Sequence, residues 1–387
     1  MKRAALDFER PQALQASEPP ERRGLARDEV RLLVSTERGH EHARFYDLPR
    51  FLPPGTVLVV NTSATLPASL PAVHPRLGAI RVNVSTHYGG ALYLVEPRWS
   101  AEKPGPLPLD AGATLQVAGL TVRLVAPHPG LPRLWFVRIE GDVHAAMRRE
   151  GTPIRYGYLK APYPPLSAYQ TSFAQTPGSA EMPSAARPFT ARVVEALRAR
   201  GIRLAGVTLH AGVSSHEVEA DRVEEQVLYA EPFAVPERTA ALVSAARREG
   251  CPVVAVGTTV VRALETAWDG ERMRAAAGFT RVFVHPGRPV RRVDGLLTGL
   301  HDPMASHLAM LYAMAPQEQV RAGYAEAIRE GYLWHEFGDS HLLLPRLTAR
   351  SISSHGSVFL PPQREGASPP DLPGTSALDE APEAHAV

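Results

Sequence analysis

Two kinds of sequence pattern follow one another along this 387-residue chain, and their order constrains the fold more than any single motif. Between about residues 67 and 151, short alternating apolar and polar runs are broken by Gly and Pro, which predicts short antiparallel strands in a small barrel or sandwich. From Phe189 onward, amphipathic helices alternate with apolar strands, as in α/β proteins. The sequence therefore predicts a larger α/β domain with an inserted small β-barrel domain.

The predicted boundaries follow from these changes of pattern. We expect residues 1–66 and 152–350 to form a discontinuous α/β catalytic domain and residues 67–151 to form the inserted barrel. Residues 361–387 have almost no large apolar side chains and much Pro, Ser, Glu and Ala, which predicts a disordered tail. The expected helices of the α/β domain are 191–200, 236–249, 260–268, 305–314 and 316–330.

The composition narrows the class of protein. No apolar run approaches the roughly 18 residues that cross a bilayer, and no secretory signal is recognisable, so we expect a cytoplasmic protein without membrane contact. Cys251 is the only cysteine, which excludes an internal disulfide and a multi-thiolate metal site. The formal net charge of +2 argues against a nucleic-acid coat protein, so any RNA contact must be local.

A strand, a tight turn and a helix in succession predict an anion site. The apolar run Val253–Val256 fits a buried strand, Gly257 permits a sharp turn, and Thr258 can cap the following helix. Free N–H groups at this helix start, with Thr259 beside them and Arg262 one turn on, suit a carboxylate or a phosphate. The alternative is an ordinary strand-to-helix turn whose Thr cap is already satisfied.

Other predicted strands also end at polar residues. The apolar run 202–209 leads to His210, the run 296–300 leads to His301, and the strand that starts at Val57 ends at Asn61. Ligands of open α/β sheets lie outside the carboxyl ends of the strands, so these side chains are expected to share one crevice. After His301, Asp302 and Pro303 are expected to be the N-cap and first residue of a helix. No metal site is expected, because the histidine spacing does not suit one.

Seven strings resemble, in order and spacing, the S-adenosylmethionine:tRNA ribosyltransferase-isomerase family. They are VLVVNTSATLPASL (57–70), SAYQTSFAQTPGS (167–179), VTLHAGV (207–213), VVAVGTTVVRALET (253–266), FVHPG (283–287), VDGLLTGLHDP (293–303) and YLWHEFGDSHLLL (332–344). The resemblance implies an α/β domain with an inserted barrel. It also implies transfer and isomerisation of the ribosyl part of S-adenosylmethionine onto a 7-aminomethyl-7-deazaguanine base in tRNA. The product is epoxyqueuosine, and S-adenosylmethionine is a co-substrate, with no further cofactor.

This chemistry needs a base beside the sulfonium, a proton donor for the departing adenine and a cradle for the methionine carboxylate. His210 and His301, expected to titrate near neutrality, suit proton transfer, and Asp294 or Glu231 would orient them or act as the base. The expected substrate-binding residues are Thr258, Thr259, Arg262, Asn61 and Asp339.

The chain departs from the family in its polar motifs. Ala64 and Ser69 stand where the family usually has arginines, and three family histidines are lost. An arginine contact to a phosphate or base is worth on the order of 1 to 3 kcal/mol. If both arginines met phosphate or the modified base, their loss would weaken RNA affinity by about 10² or more. Arg187 and His216 are new polar groups near this site, which either compensate or are simply exposed.

Three hypotheses follow from these matches and departures. The first is the family reaction on tRNA. The second is a divergent relative that binds an adenosyl compound but uses another acceptor, possibly a small molecule. The third is a catalytically silent protein that binds a nucleotide or RNA.

Overall fold

The computed structural model describes residues 1–213 and 217–345. His216 and the predicted tail at 361–387 therefore lie outside the described residues. The strands, in chain order, are β1 (Arg31–Thr36), β2 (Gly39–Arg44), β3 (Val57–Asn61), β4 (Ser63–Thr65), β5 (Ser69–His74), β6 (Gly78–Gly89), β7 (Leu92–Arg98), β8 (Thr114–Val117), β9 (Leu120–His128), β10 (Leu131–Ile139), β11 (Thr176–Ser179), β12 (Arg203–Leu209), β13 (Glu231–Val235), β14 (Val253–Val256), β15 (Ala276–Thr280), β16 (Gly295–Gly299) and β17 (Ser340–Leu344). The α-helices are α1 (Val143–Glu150), α2 (Ala191–Ala199), α3 (Glu237–Arg248), α4 (Thr258–Ala267), α5 (Ser306–Met314) and α6 (Gln317–Arg329).

Within the described residues, nine strands form a mixed sheet in the order β15-β13-β12-β3-β14-β16-β17-β1-β2. Strands β12, β3, β14 and β16 run parallel to one another, so their carboxyl ends share one edge. Strands β13 and β17 are antiparallel to β12 and β16, which brings their first residues to the same edge. This arrangement confirms the predicted α/β fold class and the shared edge of the sheet.

The sheet is covered on both faces, which explains its continuous apolar strands. In β3, Val57 and Val59 pack into the cluster that contains helices α3 to α6. Leu58 and Val60 face the other way, into the cluster that contains Val193 of α2. Because β3 is buried on both faces, its carboxyl end at Asn61 is held by packing from two sides.

Strands β5 to β10 close into a barrel in the order β10-β7-β6-β5-β8-β9, within the described part of the chain. The barrel interior is filled by apolar side chains from alternate positions, among them Leu70, Val82, Val95 and Val137. These strands all lie inside the range 67–151, and the closed barrel confirms the predicted inserted barrel. The domain limits themselves stay a prediction.

The chain enters and leaves the barrel at two adjacent points. Ser69 and Thr152 exchange backbone hydrogen bonds, with N to O distances of 2.9 Å and 3.0 Å. The Arg81 guanidinium joins this pair, because it donates to Ser69 Oγ at 3.0 Å and to Thr152 Oγ1 at 3.1 Å. The two connections to the α/β part are therefore clamped together.

Two predicted helix caps are wrong, although the predicted ranges 260–268 and 305–314 start within two residues of the observed helices. Helix α5 begins at Ser306 with Ala305 as its N-cap, so Asp302 and Pro303 are not its cap and first residue. Met304, which lies between Pro303 and the N-cap, has a φ of 63°. Helix α4 includes Thr258 as its first residue, so the cap is Gly257, whose φ of 93° favours glycine. Among the described residues, no helix is long and apolar enough to cross a membrane.

Candidate active site

A cavity of about 400 Å³ opens at the shared edge of the sheet. It is lined by three of the residues predicted from the sequence, Thr258, Thr259 and His301. Its wall also carries further polar side chains, namely Tyr156, Tyr158, Glu181, Ser184, Glu217, Thr298, Asp302, His307, His335 and Glu336. The strand ends thus lie at a cavity, as predicted, although much of the ionisable lining of this cavity comes from other segments.

The start of helix α4 forms one part of the cavity wall. No side chain of the described residues caps this helix start. Thr258 is buried, and the Thr259 hydroxyl accepts a hydrogen bond from Asn61 Nδ2 at 3.1 Å. The first N–H groups of α4 therefore point toward the cavity end of the helix, where an anion is favoured.

Asn61 is fully buried and does not line the cavity. Its Nδ2 also donates to the carbonyl of Leu209 at 2.8 Å, and its Oδ1 accepts from the N–H groups of Leu209 and Ser63 at 3.1 Å and 3.0 Å. The bonds to Leu209 and Thr259 join the end of β3 to the end of β12 and to helix α4. Asn61 is thus placed to hold Thr259 in position.

His301 lies in the cavity wall with both its ring and its backbone engaged. Its Nε2 is 2.8 Å from Thr298 Oγ1, its N–H donates to the Tyr324 hydroxyl at 3.2 Å, and its carbonyl accepts from Trp334 Nε1 at 3.0 Å. The loss of solvent around the ring, together with neighbouring histidines, lowers the pKa of His301 well below its usual range. The expectation that His301 titrates near neutrality is therefore wrong.

His210 is half-buried and does not belong to the cavity lining, although Ala211 next to it does. Its Nδ1 is 2.7 Å from Ser63 Oγ, and its ring packs directly against Gly178. Burial lowers the pKa of His210, again away from neutrality. The structure therefore places His210 behind the cavity wall rather than with His301.

Glu231 and Arg262 form a buried ion pair between Glu231 Oε2 and Arg262 Nη1. The other carboxylate oxygen accepts from the N–H of Gly212 at 2.7 Å, and Arg262 Nε donates to the carbonyl of Val282 at 3.0 Å. Both residues line a smaller cavity of about 50 Å³, which shares Thr258, Thr259 and His307 with the larger one. Glu231 thus faces Arg262 and contacts neither predicted histidine.

Asp294 is not part of the site. It precedes β16, so it lies at the amino ends of the parallel strands, where its Oδ2 accepts from the N–H of Val253 at 2.9 Å. The structure therefore corrects the expectation that Asp294 orients a histidine or acts as a base at the crevice.

Asp339 lies at the correct edge, beside β17, but its carboxylate already has partners. It accepts from the N–H groups of Arg31 and Leu333 at 2.7 Å and 2.8 Å. Burial raises its pKa, and the Arg31 guanidinium at 3.4 Å favours its charged form. Asp339 therefore fixes the turn that carries His335 and Glu336 into the cavity wall.

The ionisable groups that the sequence reasoning missed form one connected cluster. The Tyr158 hydroxyl bonds to His335 Nδ1 and lies 3.3 Å from Glu336 Oε2, while the Tyr156 hydroxyl bonds to Glu181. Desolvation, with the charge of Glu181 next, raises the pKa of Glu336 to about 8. His335 and Glu336 lie in the string YLWHEFGDSHLLL, which resembles the family. Their adjacent ionisable side chains were the sequence signal that could have marked them as candidates.

The whole described chain matches a known family. Residues 3–343 match the family described as queuosine biosynthesis protein. The S-adenosylmethionine:tRNA ribosyltransferase-isomerase of Anaeromyxobacter sp. is 36% identical over 358 residues, which covers 89% of this chain and 99% of that protein. This chain belongs to that family. A protein of the same name from Moorella thermoacetica is 37% identical over 88% of this chain and 98% of its own length.

A solved structure of the ribosyltransferase family is also similar. The S-adenosylmethionine tRNA ribosyltransferase of Thermotoga maritima is 25% identical, covers 88% of this chain and 100% of its own, and has a TM-score of 0.49.

Two departures from the ribosyltransferase-isomerase pattern acquire a structural explanation. Ser69, where the resemblance implies an arginine, accepts a hydrogen bond from the Arg81 guanidinium at 3.0 Å. Arg187 is neither exposed nor free to compensate. It donates to both Glu21 carboxylate oxygens at 3.0 Å and to the carbonyl of Ala168 at 2.9 Å. Both expectations for Arg187 are therefore wrong.

Proposed function

We propose that this protein transfers and isomerises the ribosyl moiety of S-adenosylmethionine to the aminomethyl group of a 7-deazaguanine in the wobble position of tRNA. The product is epoxyqueuosine, and adenine and methionine are released. The observation that carries the proposal is the nearly end-to-end match to proteins of that name. S-adenosylmethionine is the co-substrate and tRNA the partner. The tRNA substrate supports a cytoplasmic location for the protein.

The geometry of the cavity supports this proposal. A volume of about 400 Å³ falls in the range of small-molecule sites, and a ligand of the size of S-adenosylmethionine fits that range. The uncapped start of α4 with Thr258 and Thr259 suits the methionine carboxylate, because helix N–H groups favour an anion. The charge of Arg262 is already neutralised by Glu231. We therefore assign binding of the methionine carboxylate to the first N–H groups of α4 and to the hydroxyls of Thr258 and Thr259.

The roles of the histidines follow from their protonation. His301 and His307 both have lowered pKa values, the latter about 4, so both are neutral at pH 7 and either can accept a proton. We assign proton abstraction beside the sulfonium to this pair, because both rings line the cavity. His210, bonded to Ser63, is assigned to positioning of the strand end rather than to contact with the substrate.

The test is an incubation of the protein with S-adenosylmethionine and tRNA that carries the aminomethyl-deazaguanine base. Adenine release together with the corresponding mass gain on the tRNA is the expected result. Adenine release without tRNA modification would instead identify another acceptor. Binding of S-adenosylmethionine without turnover would identify a silent binding protein.

The histidine assignment has its own test. Replacement of His301 by alanine is expected to lower kcat by about 10² to 10⁴ while S-adenosylmethionine binding persists. His210→Ala is expected to act more weakly and mainly through stability, because the ring lies behind the wall. Full turnover of His301→Ala would reject the role of this residue.

A further inference from the structure

Three connected ionisable side chains of the cavity wall take no part in proton abstraction or in binding of the methionine carboxylate. Glu336, Tyr158 and His335 all line the cavity, and the Tyr158 hydroxyl contacts both of the other side chains. His335 Nε2 in turn lies 3.9 Å from Asp302 Oδ2. These contacts connect a carboxyl group at the cavity, through one phenol, to an imidazole and a second carboxylate.

We propose that Glu336 donates the proton to the adenine that departs from S-adenosylmethionine, and that Tyr158 and His335 return a proton to it. This role deepens the proposed function and rests on it. Glu336 is the catalytic residue in this arrangement, because its carboxyl group lies in the cavity wall. Tyr158 and His335 act through it.

The surroundings of Glu336 favour a carboxyl group that holds its proton. Desolvation disfavours the carboxylate, and Glu181 on the same wall adds a like charge. The ionisable groups that face Glu336 are Glu181, Tyr158, Tyr169, His335 and Arg187. Of these, Tyr158, which donates to the carboxylate, and Arg187 both favour the charged form, but desolvation and Glu181 outweigh them. Both oxygens of Glu21 also hold the Arg187 guanidinium. The pKa of Glu336 is accordingly about 8, so the group is mostly neutral at pH 7.

The neighbours of Glu336 are suited to a relay. Burial raises the pKa of Tyr158 well above its usual range, and Glu336 raises it further once it has become a carboxylate. The phenol therefore stays protonated and can pass a proton only in exchange for another. Burial lowers the pKa of His335 to about 4, although Asp302 opposes this shift. A neutral His335 can receive a proton from solvent and deliver it through its Nδ1 contact with Tyr158.

The step balances in protons and electrons. The bond between the ribosyl carbon and the adenine nitrogen breaks, and its electron pair stays on adenine. A lone pair of the ribose ring oxygen compensates the ribosyl carbon, which has lost that pair. Adenine takes the proton of the Glu336 carboxyl group and leaves as the neutral base, while Glu336 becomes a carboxylate. The Tyr158 hydroxyl then gives its proton to Glu336 and takes one from His335, which is recharged from solvent. No oxidant or reductant is needed.

The principal variant is Glu336→Gln in the full-length protein. We expect kcat to fall by about 10² to 10⁴. The KM for S-adenosylmethionine should stay nearly unchanged, because glutamine has the shape of glutamic acid and lacks only the acidic proton. The matched control is Glu140→Gln, an exposed carboxyl group on the barrel, for which wild-type kcat is expected. A kcat of Glu336→Gln within about threefold of wild type would overturn the proposal.

A pH profile separates this role from a purely structural one. Wild-type kcat should fall above about pH 8, where Glu336 loses its proton. Glu181→Gln removes a like charge, so the alkaline limb should move to lower pH. An unmoved limb would contradict the proposal, and this variant decides the matter should Glu336→Gln fail to fold. Tyr158→Phe should lower kcat less than Glu336→Gln does, because it interrupts only the return of the proton.

A measurement without turnover keeps this inference separate from the proposed function. Infrared difference spectra between about pH 6 and about pH 10 should show a carboxyl C=O band that titrates near pH 8 in the wild type and is missing in Glu336→Gln. If the band is present but no adenine is released, the proposed reaction is rejected, while the conclusion that Glu336 is neutral at pH 7 stands. Adenine release without the band would reject Glu336 as the proton donor.

Discussion

The imidazole rings of His301 and His307 stack in the cavity wall with a centroid distance of 4.6 Å and an interplanar angle of 17°. Two protonated rings at this distance would repel each other, and burial already disfavours a charge on either. The pair is therefore neutral at pH 7 and can accept one proton. Once one ring has taken up a proton, the other ring has to stay neutral, because two charged rings would repel each other.

The buried histidines make the folded protein sensitive to acid. Their pKa values are lowered from the usual value of about 6.5, to about 4 for His307 and about 3 for His341. The unfolded chain then binds more protons, so stability is lost as the pH falls from about 6.5 toward these values, at up to about 1.4 kcal/mol per pH unit and histidine. Urea unfolding at pH 7 and pH 5 measures this loss. His341→Gln should reduce the pH dependence, whereas replacement of the exposed His144 should not; equal slopes would contradict the prediction.

Asn61→Ala should weaken both the fold and the binding of S-adenosylmethionine. The variant leaves buried N–H and C=O groups of Leu209 without their partner, which costs about 2 to 4 kcal/mol. The KM for S-adenosylmethionine should rise, because Thr259 loses its donor. Asn83→Ala in the barrel is the control, since it removes a buried amide far from α4 and should lower stability without changing KM. An unchanged KM in Asn61→Ala would show that Thr259 is held by other contacts.

The Glu231 and Arg262 pair should show strong coupling in a double-mutant cycle. Either single alanine variant leaves a buried charge without its partner and should lower the free energy of unfolding by about 3 to 5 kcal/mol. The double variant should lose much less than the sum, because no lone charge remains. Chemical denaturation of the four proteins gives the coupling energy. Additive losses in the cycle would contradict the prediction, because they would mean that Glu231 and Arg262 do not stabilise each other.

Asp294→Asn should leave catalysis intact. The side chain accepts from the N–H of Val253 at the edge of the sheet away from the cavity, so we expect a loss of stability of about 1 kcal/mol. Turnover per folded molecule should stay within about twofold of wild type, since no step of general acid–base catalysis is removed. A large loss of kcat with normal stability would return Asp294 to the catalytic candidates.

Gly178→Ala should displace the His210 ring. A Cβ atom at residue 178 would overlap this imidazole, and a rigid ring in a packed site can yield only by moving. We expect a loss of stability of about 1 to 3 kcal/mol from this overpacking. In a His210→Ala background the same substitution should cost little, because the clash is gone. Equal costs in both backgrounds would contradict this explanation.

Much of the fold could be predicted because apolar periodicity reports burial. The predicted helices at 191–200 and 316–330 correspond to Ala191–Ala199 and Gln317–Arg329, and the strand-end histidine His301 reached the cavity. Asp302 and Pro303 do not cap the helix after His301, because Met304 adopts a left-handed backbone conformation that no local pattern predicts.

The errors in the site have a different origin. Asp294 comes before its strand, so chain direction alone puts it at the wrong edge, and this could have been read from the sequence. Glu336, Glu181 and Tyr158 come from three separate segments, and their proximity depends on tertiary packing. Arg187 pairs with Glu21, which lies 166 residues away in sequence, so its burial could not be predicted from its neighbours.

The paired crossings at Ser69 and Thr152 bear on how this architecture evolves. Since the chain departs and returns within a hydrogen bond's length, a short turn could bridge the same gap. Such a shortcut would also remove Ser85 and Tyr88 of the barrel, which bond to the N–H of Val213 and the carbonyl of Ala230. The barrel is therefore easy to disconnect along the chain but supports the segments next to His210 and Glu231 through space.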